Sequence, residues 1–323
     1  MTDPFVRPDV RGFLDMVAAM PGPRTHEMEP AQARAQYVAM KGLVDLPEGD
    51  LGEVRDITIP GAAGDIPARL FDARASREPG PLVVFYHGGG FVIGNIDSHA
   101  SFCAEVARTL DLPVVSIDYR LAPEAKFPAA PDDCEAAARW IAGNPKELGR
   151  TATGLVLMGD SAGGNLVIVT AMALRDAPAA VPVIAQAPIY PATDTSKPYA
   201  SYELFKAGYL LTHESMVWFD EGYGADKDHH RASPLLADLA GMPPAVVMTA
   251  SLDPIRDQGR AYAAALALAG VAVVFREAVG NIHGFITIRK AIPSSAGDVA
   301  GFLAALKPVI VEAEAQRVMG QAA

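Results

Sequence analysis

The chain has 323 residues and a mass of 33.9 kDa, enough for one large α/β domain or two smaller ones. Half of it is hydrophobic and a fifth is charged, so it can bury a large core, and no stretch reads as disordered by composition. The formal net charge of -11 disfavours a nucleic-acid surface, which needs clustered Lys and Arg; a neutral or apolar small molecule suits it better.

Residues 1–50 read as helical and precede the first strand. Their start, MTDPFVRPDVRGFLDMVAAM, carries acids and prolines, without the basic start and continuous apolar run of a signal peptide. No apolar run nears the roughly 20 residues of a membrane span, so a cytoplasmic location is expected. Strands are expected at 54–60 (VRDITIP) and 66–72 (IPARLFD); they are close together and less apolar, which suits an antiparallel edge. The run LVVFYH at 82–87 is the next strand and leads into Gly88, Gly89 and Gly90. A helix over 98–110, a strand at 114–119 and a helix over 129–143 follow. Cys103 and Cys134 lie in these helical patterns without CxxC or metal-ligand spacing and are expected to be buried thiols.

The strand LVLMG at 155–159 runs into Gly159-Asp160-Ser161-Ala162-Gly163-Gly164 and then into a helical pattern. Gly-x-Ser-x-Gly at a strand-to-helix junction forces the serine into a strained turn with its hydroxyl exposed at the top of a sheet. The competing reading, a phosphate-binding glycine loop, lacks the P-loop Lys, the GxGxxG spacing and the acid about 20 positions on. A strand at 183–190 precedes the segment 191–232, whose aromatics and short helix interrupt the alternation. Ligands of open α/β sheets bind beyond the carboxyl ends of the strands, so this insertion is expected to overhang the site as a lid or cap. Strands at 245–251 and 273–279 flank a helix over 257–270. Eight strands separated by helices indicate a mostly parallel sheet covered on both faces, the α/β class.

A serine hydroxyl needs a base, and the base needs an orienting carboxylate. Of seven histidines, His26, His87 and His99 precede the serine and fall outside the order Ser, acid, His. His213 opens the insertion's helix, while His229 and His230 lie in a charged loop, so surface roles suit these three. His283, between Gly280 and Gly284 just after the last strand, is the expected base; a histidine satisfied in the core explains its strand-end position less well. Asp253 directly follows the strand at 245–251, with Pro254 ending it, and is the expected orienter. Asp257 reads as a helix-start acid, and Asp194 and Asp220 belong to the insertion. Backbone N–H groups of Ala162, Gly88 and Gly89 are the expected oxyanion donors.

The motifs HGGGF at 87–91, YRLAPE at 119–124, GDSAGGN at 159–165, DPIRDQG at 253–259 and HGF at 283–285, in this order, resemble the hormone-sensitive-lipase family of α/β-hydrolase esterases. The resemblance covers essentially the whole chain, and Asp160 matches the larger GDSAG variant of the family. It implies an α/β-hydrolase core over 51–190 and 233–323, with a helical cap built from 1–50 and 191–232. It further implies hydrolysis of short- to medium-chain carboxylic esters through Ser161, His283 and Asp253, without cofactor or metal, and a possible homodimer. Departures are small: Gln258 stands where an acid is frequent, and polar Asn281 near the base is expected to touch the pocket. Phe91, Phe205, Tyr209, Leu210, Trp218, Ile282 and Phe285 are pocket or cap candidates, ordinary core being the competing reading for each. An amidase, lactonase or acyltransferase with the same triad is a second enzyme reading, because leaving-group choice depends on pocket shape. A non-catalytic small-molecule receptor is a third, known in this family through loss of the catalytic histidine; His283 in its HGF context argues against it.

Overall fold

The eight apolar runs of the sequence are the eight strands of one sheet in the computed structural model, which describes residues 4–322. Residues 1–3 of the expected N-terminal helical segment, and Ala323, lie outside the described residues. The strands are β1 (Glu53–Gly61), β2 (Gly64–Asp72), β3 (Gly80–Tyr86), β4 (Val114–Ile117), β5 (Ala152–Asp160), β6 (Val183–Ile189), β7 (Ala245–Leu252) and β8 (Val273–Ile282). They lie in the order β1-β2-β4-β3-β5-β6-β7-β8. β2 runs antiparallel to both β1 and β4, and all other pairs are parallel, so the edge expected from the less apolar first strands is present.

The helices are α1 (Pro8–Ala19), α2 (Pro30–Val44), α3 (Ile96–Leu110), α4 (Ala129–Ala142), α5 (Ala162–Asp176), α6 (Ala200–Phe205), α7 (His213–Tyr223), α8 (Arg256–Leu268) and α9 (Ser295–Ala322). Their starts follow local chemistry. Pro8 and Pro30 open α1 and α2, where a missing N–H costs nothing. Asn95 caps α3 by accepting the Ser98 N–H at 2.8 Å.

Alternation along the central strands sends successive side chains to opposite faces. Leu82, Val84, Leu155 and Leu157 pack with α4, α5 and α8, while Val83, Phe85, Val156 and Met158 pack with α3 and α9. The connection leaving β3 therefore runs to one face and that leaving β5 to the other. These two strands are neighbours, so their carboxyl ends flank a switch point of the sheet, where α/β folds form ligand crevices.

Two smaller clusters cover that end of the sheet. Val10, Phe13 and Leu14 of α1 and Val44 of α2 pack with Phe205, Leu252 and Ile282. Met28 and Ala33 pack with Val92, Ile93 and Tyr223. Arg34 ties α2 down, donating to the carbonyls of Val92 at 2.7 Å and Ala122 at 2.8 Å and pairing with Glu124. No described helix is long and apolar enough to cross a membrane.

Candidate active site

The β5–α5 junction holds Ser161 at φ 55° and ψ -116°, left-handed backbone that a side chain tolerates only when its surroundings impose it. Here close packing imposes it. A Cβ on Gly163 would overlap the carbonyl oxygen of Tyr86, so the first turn of α5 sits directly against the end of β3. The Ser161 N–H donates to the carbonyl of Ile189 at 2.9 Å, fixing the turn to β6.

His283 follows β8, is buried, and lines the cavity above the serine. Its Nε2 lies 2.8 Å from Ser161 Oγ, and its Nδ1 lies 2.7 Å from Asp253 Oδ2. Asp253 is fully buried, and its Oδ1 also accepts the Ile255 N–H at 2.9 Å. A carboxylate in this place accepts the hydrogen bond from Nδ1–H, which leaves the Nε2 lone pair facing the serine hydroxyl. Asp257 instead accepts the Ser201 N–H and pairs with Arg256 and Arg260, a helix-start acid as its position suggested.

The glycine loop corrects one expectation. The Gly88 N–H donates to Asp160 Oδ1 at 2.7 Å, so it is committed inside the protein and unavailable to a substrate oxygen. Gly89 and Gly90 line the cavity beside Ser161 and Ala162. Gly90 therefore takes the place of Gly88 in the candidate donor set, beside Gly89 and Ala162. Gly89 sits at φ 124° with its α-carbon against the Ile93 carbonyl, where a Cβ would overlap. His87 braces this loop: its Nδ1 contacts the Gly88 carbonyl at 2.9 Å, and Tyr119 stacks on its ring and donates to its carbonyl at 2.7 Å. Burial and the neighbouring His99 push the His87 imidazole down to about 3, so at neutral pH it is uncharged and donates through Nδ1–H.

Two functional candidates escaped the sequence reading. Asp160, nearly fully buried, also lies 3.2 Å from His99 Nε2 and accepts from Tyr190 Oη at 3.3 Å. Burial acts to raise the Asp160 carboxyl, but His99, the Gly88 N–H and His283 outweigh it and hold it below the ordinary carboxylate range. The signal that could have found them was a charged residue inside the serine turn, and a histidine amid the apolar positions of α3.

A cavity of about 700 Å³, walled mostly by apolar groups, opens over Ser161 and His283. Phe91 and Leu210 line it. The other five pocket candidates do not. Phe205, Tyr209 and Ile282 belong to the cluster under α1, Trp218 packs with Met28 and Val92, and Phe285 is buried in the core with Phe85. Asn281 is likewise turned away, donating to Ser295 Oγ and Asp298 Oδ2 at 2.9 Å each. The walls come instead from Tyr37 of α2, Ile93, and Val217 and Phe219 of α7. His213, expected at the surface, is exposed but also borders the cavity, where it meets the Tyr202 hydroxyl. Gln258 accepts the N–H groups of Thr193 and Asp194 at 3.0 and 3.1 Å, a role that an acid could also fill. Among the described residues no group of three or more His, Cys, Asp or Glu is arranged to hold a metal ion.

A model of the alpha/beta hydrolase fold family matches residues 83–287. The carboxylic ester hydrolase LipN of Mycobacterium tuberculosis is 40% identical over 265 residues, covering 79% of this chain and 70% of that protein. Carboxylesterase NlhH of the same organism is 36% identical over 317 residues, covering 95% and 98%. Among solved structures, a thermostable esterase from Pseudomonas putida is similar with a TM-score of 0.90 at 30% identity, covering 96% of this chain and 99% of that one.

Proposed function

The chain belongs to the alpha/beta hydrolase fold family, in its hormone-sensitive-lipase branch, and from that premise we propose that it is a serine carboxylesterase acting on small esters. The observation that carries the reading is the serine–histidine–aspartate relay, with contacts of 2.8 and 2.7 Å, on the floor of an apolar cavity. Ser161 Oγ attacks the ester carbonyl while His283 Nε2 takes its proton, and Asp253 stabilises the imidazolium that forms. The developing oxyanion rests on the N–H groups of Gly89, Gly90 and Ala162, which need no reorganisation as charge appears. His283 then protonates the leaving alcohol, and water releases the acid from the acyl-enzyme by the same route. Short- to medium-chain acyl groups suit a cavity of about 700 Å³ whose walls are largely apolar.

The division into a core and a cap drawn from 1–50 and 191–232 belongs to this proposal; Tyr37 from the first segment and Phe219 from the second wall the same cavity. So does a homodimer through β8, the last strand of the sheet. A cytoplasmic location, in keeping with two buried, unpaired cysteines, completes the reading.

The test is hydrolysis of 4-nitrophenyl butyrate by the wild type and by Ser161→Ala. The variant is expected to lose on the order of 10⁴-fold or more in kcat while folding normally. Undiminished hydrolysis in Ser161→Ala would sink the mechanism.

A further inference from the structure

Residues 89–91 carry φ values of 124°, 59° and 63°, three positive angles in a row. Glycine takes such angles freely, but Phe91 does not, and a left-handed residue with a side chain costs about 1–3 kcal/mol. Such backbone persists only where its surroundings over-determine it. Within the loop, the Gly89 carbonyl accepts the N–H groups of Val92 and Ile93 at 3.1 and 2.9 Å, and the Phe91 carbonyl accepts the Ala122 N–H at 2.9 Å. What covers the loop is α7. A Cβ on Gly90 would overlap the Phe219 ring, so that ring lies directly against the Gly90 α-carbon. Tyr223 stacks on Phe91, with ring centroids 3.8 Å apart and planes 5° apart. Beside them the backbone of α7 comes close to the loop: a Cβ on Gly222 would lie 3.0 Å from Val92 Cγ2. Positions 219, 222 and 223 are spaced i, i+3 and i+4, so they share one face of the helix. That face meets residues 90, 91 and 92 in turn. The end of α7 is itself anchored, because the Tyr223 carbonyl accepts the Phe127 N–H at 3.1 Å and the Phe127 ring meets Tyr223 edge-on.

We propose that Phe219 and Tyr223 are positioning residues for the oxyanion loop, so that Gly89 and Gly90 hold their donor geometry only while α7 is docked. The two act differently. Phe219 also walls the cavity, so it meets substrate and loop together. Tyr223 is buried away from the cavity wall, and its hydroxyl has no hydrogen-bond partner among the described residues. Its ring reaches the reaction only through Phe91.

Donors aimed at a developing oxyanion act fully only when they need not move as the charge appears. A strained loop released from α7 would relax, and its N–H groups would have to be drawn back during the reaction. Loss of the Tyr223 stack should therefore raise the barrier to the tetrahedral intermediate while leaving ground-state binding nearly unchanged.

The inference rests on the esterase reading for its catalytic consequence but not for the dependence of the loop on the helix, and the experiments separate the two. Native-state hydrogen exchange on the wild type reads that dependence without activity. The Val92 and Ile93 amides are expected to be no better protected than those of Phe219 and Tyr223, because release of α7 frees the loop. Protection more than about tenfold stronger in the loop would overturn the proposal. In kinetics with 4-nitrophenyl butyrate, Tyr223→Leu is expected to lower kcat about 10- to 100-fold with KM within about threefold, and Tyr223→Phe to restore most of that loss. A loss confined to KM, or one as large in Tyr223→Phe, would overturn it. Phe219→Ala is expected to lower kcat by the same factor on acetate and butyrate esters. A loss that grows with acyl length would make Phe219 a pocket wall only and overturn its part. If no truncated variant folds, the exchange result alone decides. Hydrolysis persisting in Ser161→Ala would remove the esterase reading while leaving the exchange result standing.

Discussion

Asp118, at the end of β4, sits half-buried beneath the oxyanion loop, 3.8 Å from His87 Nε2. Burial is the main cause that pushes its carboxyl up to about 6, with the Asp97 charge adding and the Ile96 N–H and Arg69 opposing. The folded-state value lies above the unfolded one of about 3.9, so this group favours folding fully only below about pH 4. That contribution is lost as pH rises through about 6. Asp118→Asn keeps an acceptor for the Ile96 N–H but never ionises. Its melting temperature should equal that of the wild type near pH 4, rise above it progressively to about pH 6, and keep a constant advantage beyond. Thermal unfolding across that range checks this; a difference independent of pH would contradict it. Residue-scale chemistry of this kind is poorly legible in sequence, because YRLAPE shows an acid before it only as a polar residue ending a strand.

At the scale of elements, the segment after His283 is fastened to the N-terminal helices by a buried ionic cluster. Arg289 is fully buried and reaches both oxygens of Asp45, at 2.9 and 3.0 Å, at the end of α2. It also meets Glu105 and Ser101 on α3. The N–H groups of Lys290 and Ala291 add bonds to the Val44 carbonyl. Arg289→Ala would leave the buried Asp45 carboxylate without its guanidinium, keeping only the backbone N–H of residue 289 at 3.2 Å, at a cost of about 3–5 kcal/mol. Replacing Arg289 and Asp45 together by Met and Leu should recover most of that loss. Denaturant unfolding of the single and double variants measures the difference; equal destabilisation of both would mean that the pair contributes no specific cost when broken. The strands and main helices were legible because their periods of 2 and 3.6 are local. This clamp was not, because its partners lie 244 residues apart.

For the whole molecule, the sheet closes on one side with the antiparallel β1–β2 pair and ends on the other at β8, which has no further strand beside it among the described residues, Arg7 meeting only its Val279 and Gly280 carbonyls. Val274, Phe275 and Val279 on β8 are 39, 42 and 56% exposed, an apolar strand edge that proteins usually cover or charge. The homodimer of the proposed function would bury this edge against its symmetry mate. Sedimentation is expected to give a dimer for the wild type and a monomer for Phe275→Lys combined with Val279→Lys. A wild-type monomer at micromolar concentration would remove the dimer from the proposal and leave the rest of it intact.

The sequence by itself determined the fold class, the eight strands, and Ser161, Asp253 and His283 as candidates, since each is marked by a strand ending in a turn of characteristic composition. Only the tertiary structure decided which amides face the cavity and which side chains wall it. Gly88 is lost as a donor to Asp160, 72 residues away, and Phe285 and Ile282 turn into the core while Tyr37 and Phe219 reach the cavity from separate segments. The physical reason is one of range. Strand ends and tight turns are set by neighbours in the chain, whereas a free N–H or a cavity wall is what remains after distant segments have satisfied their hydrogen bonds and packed.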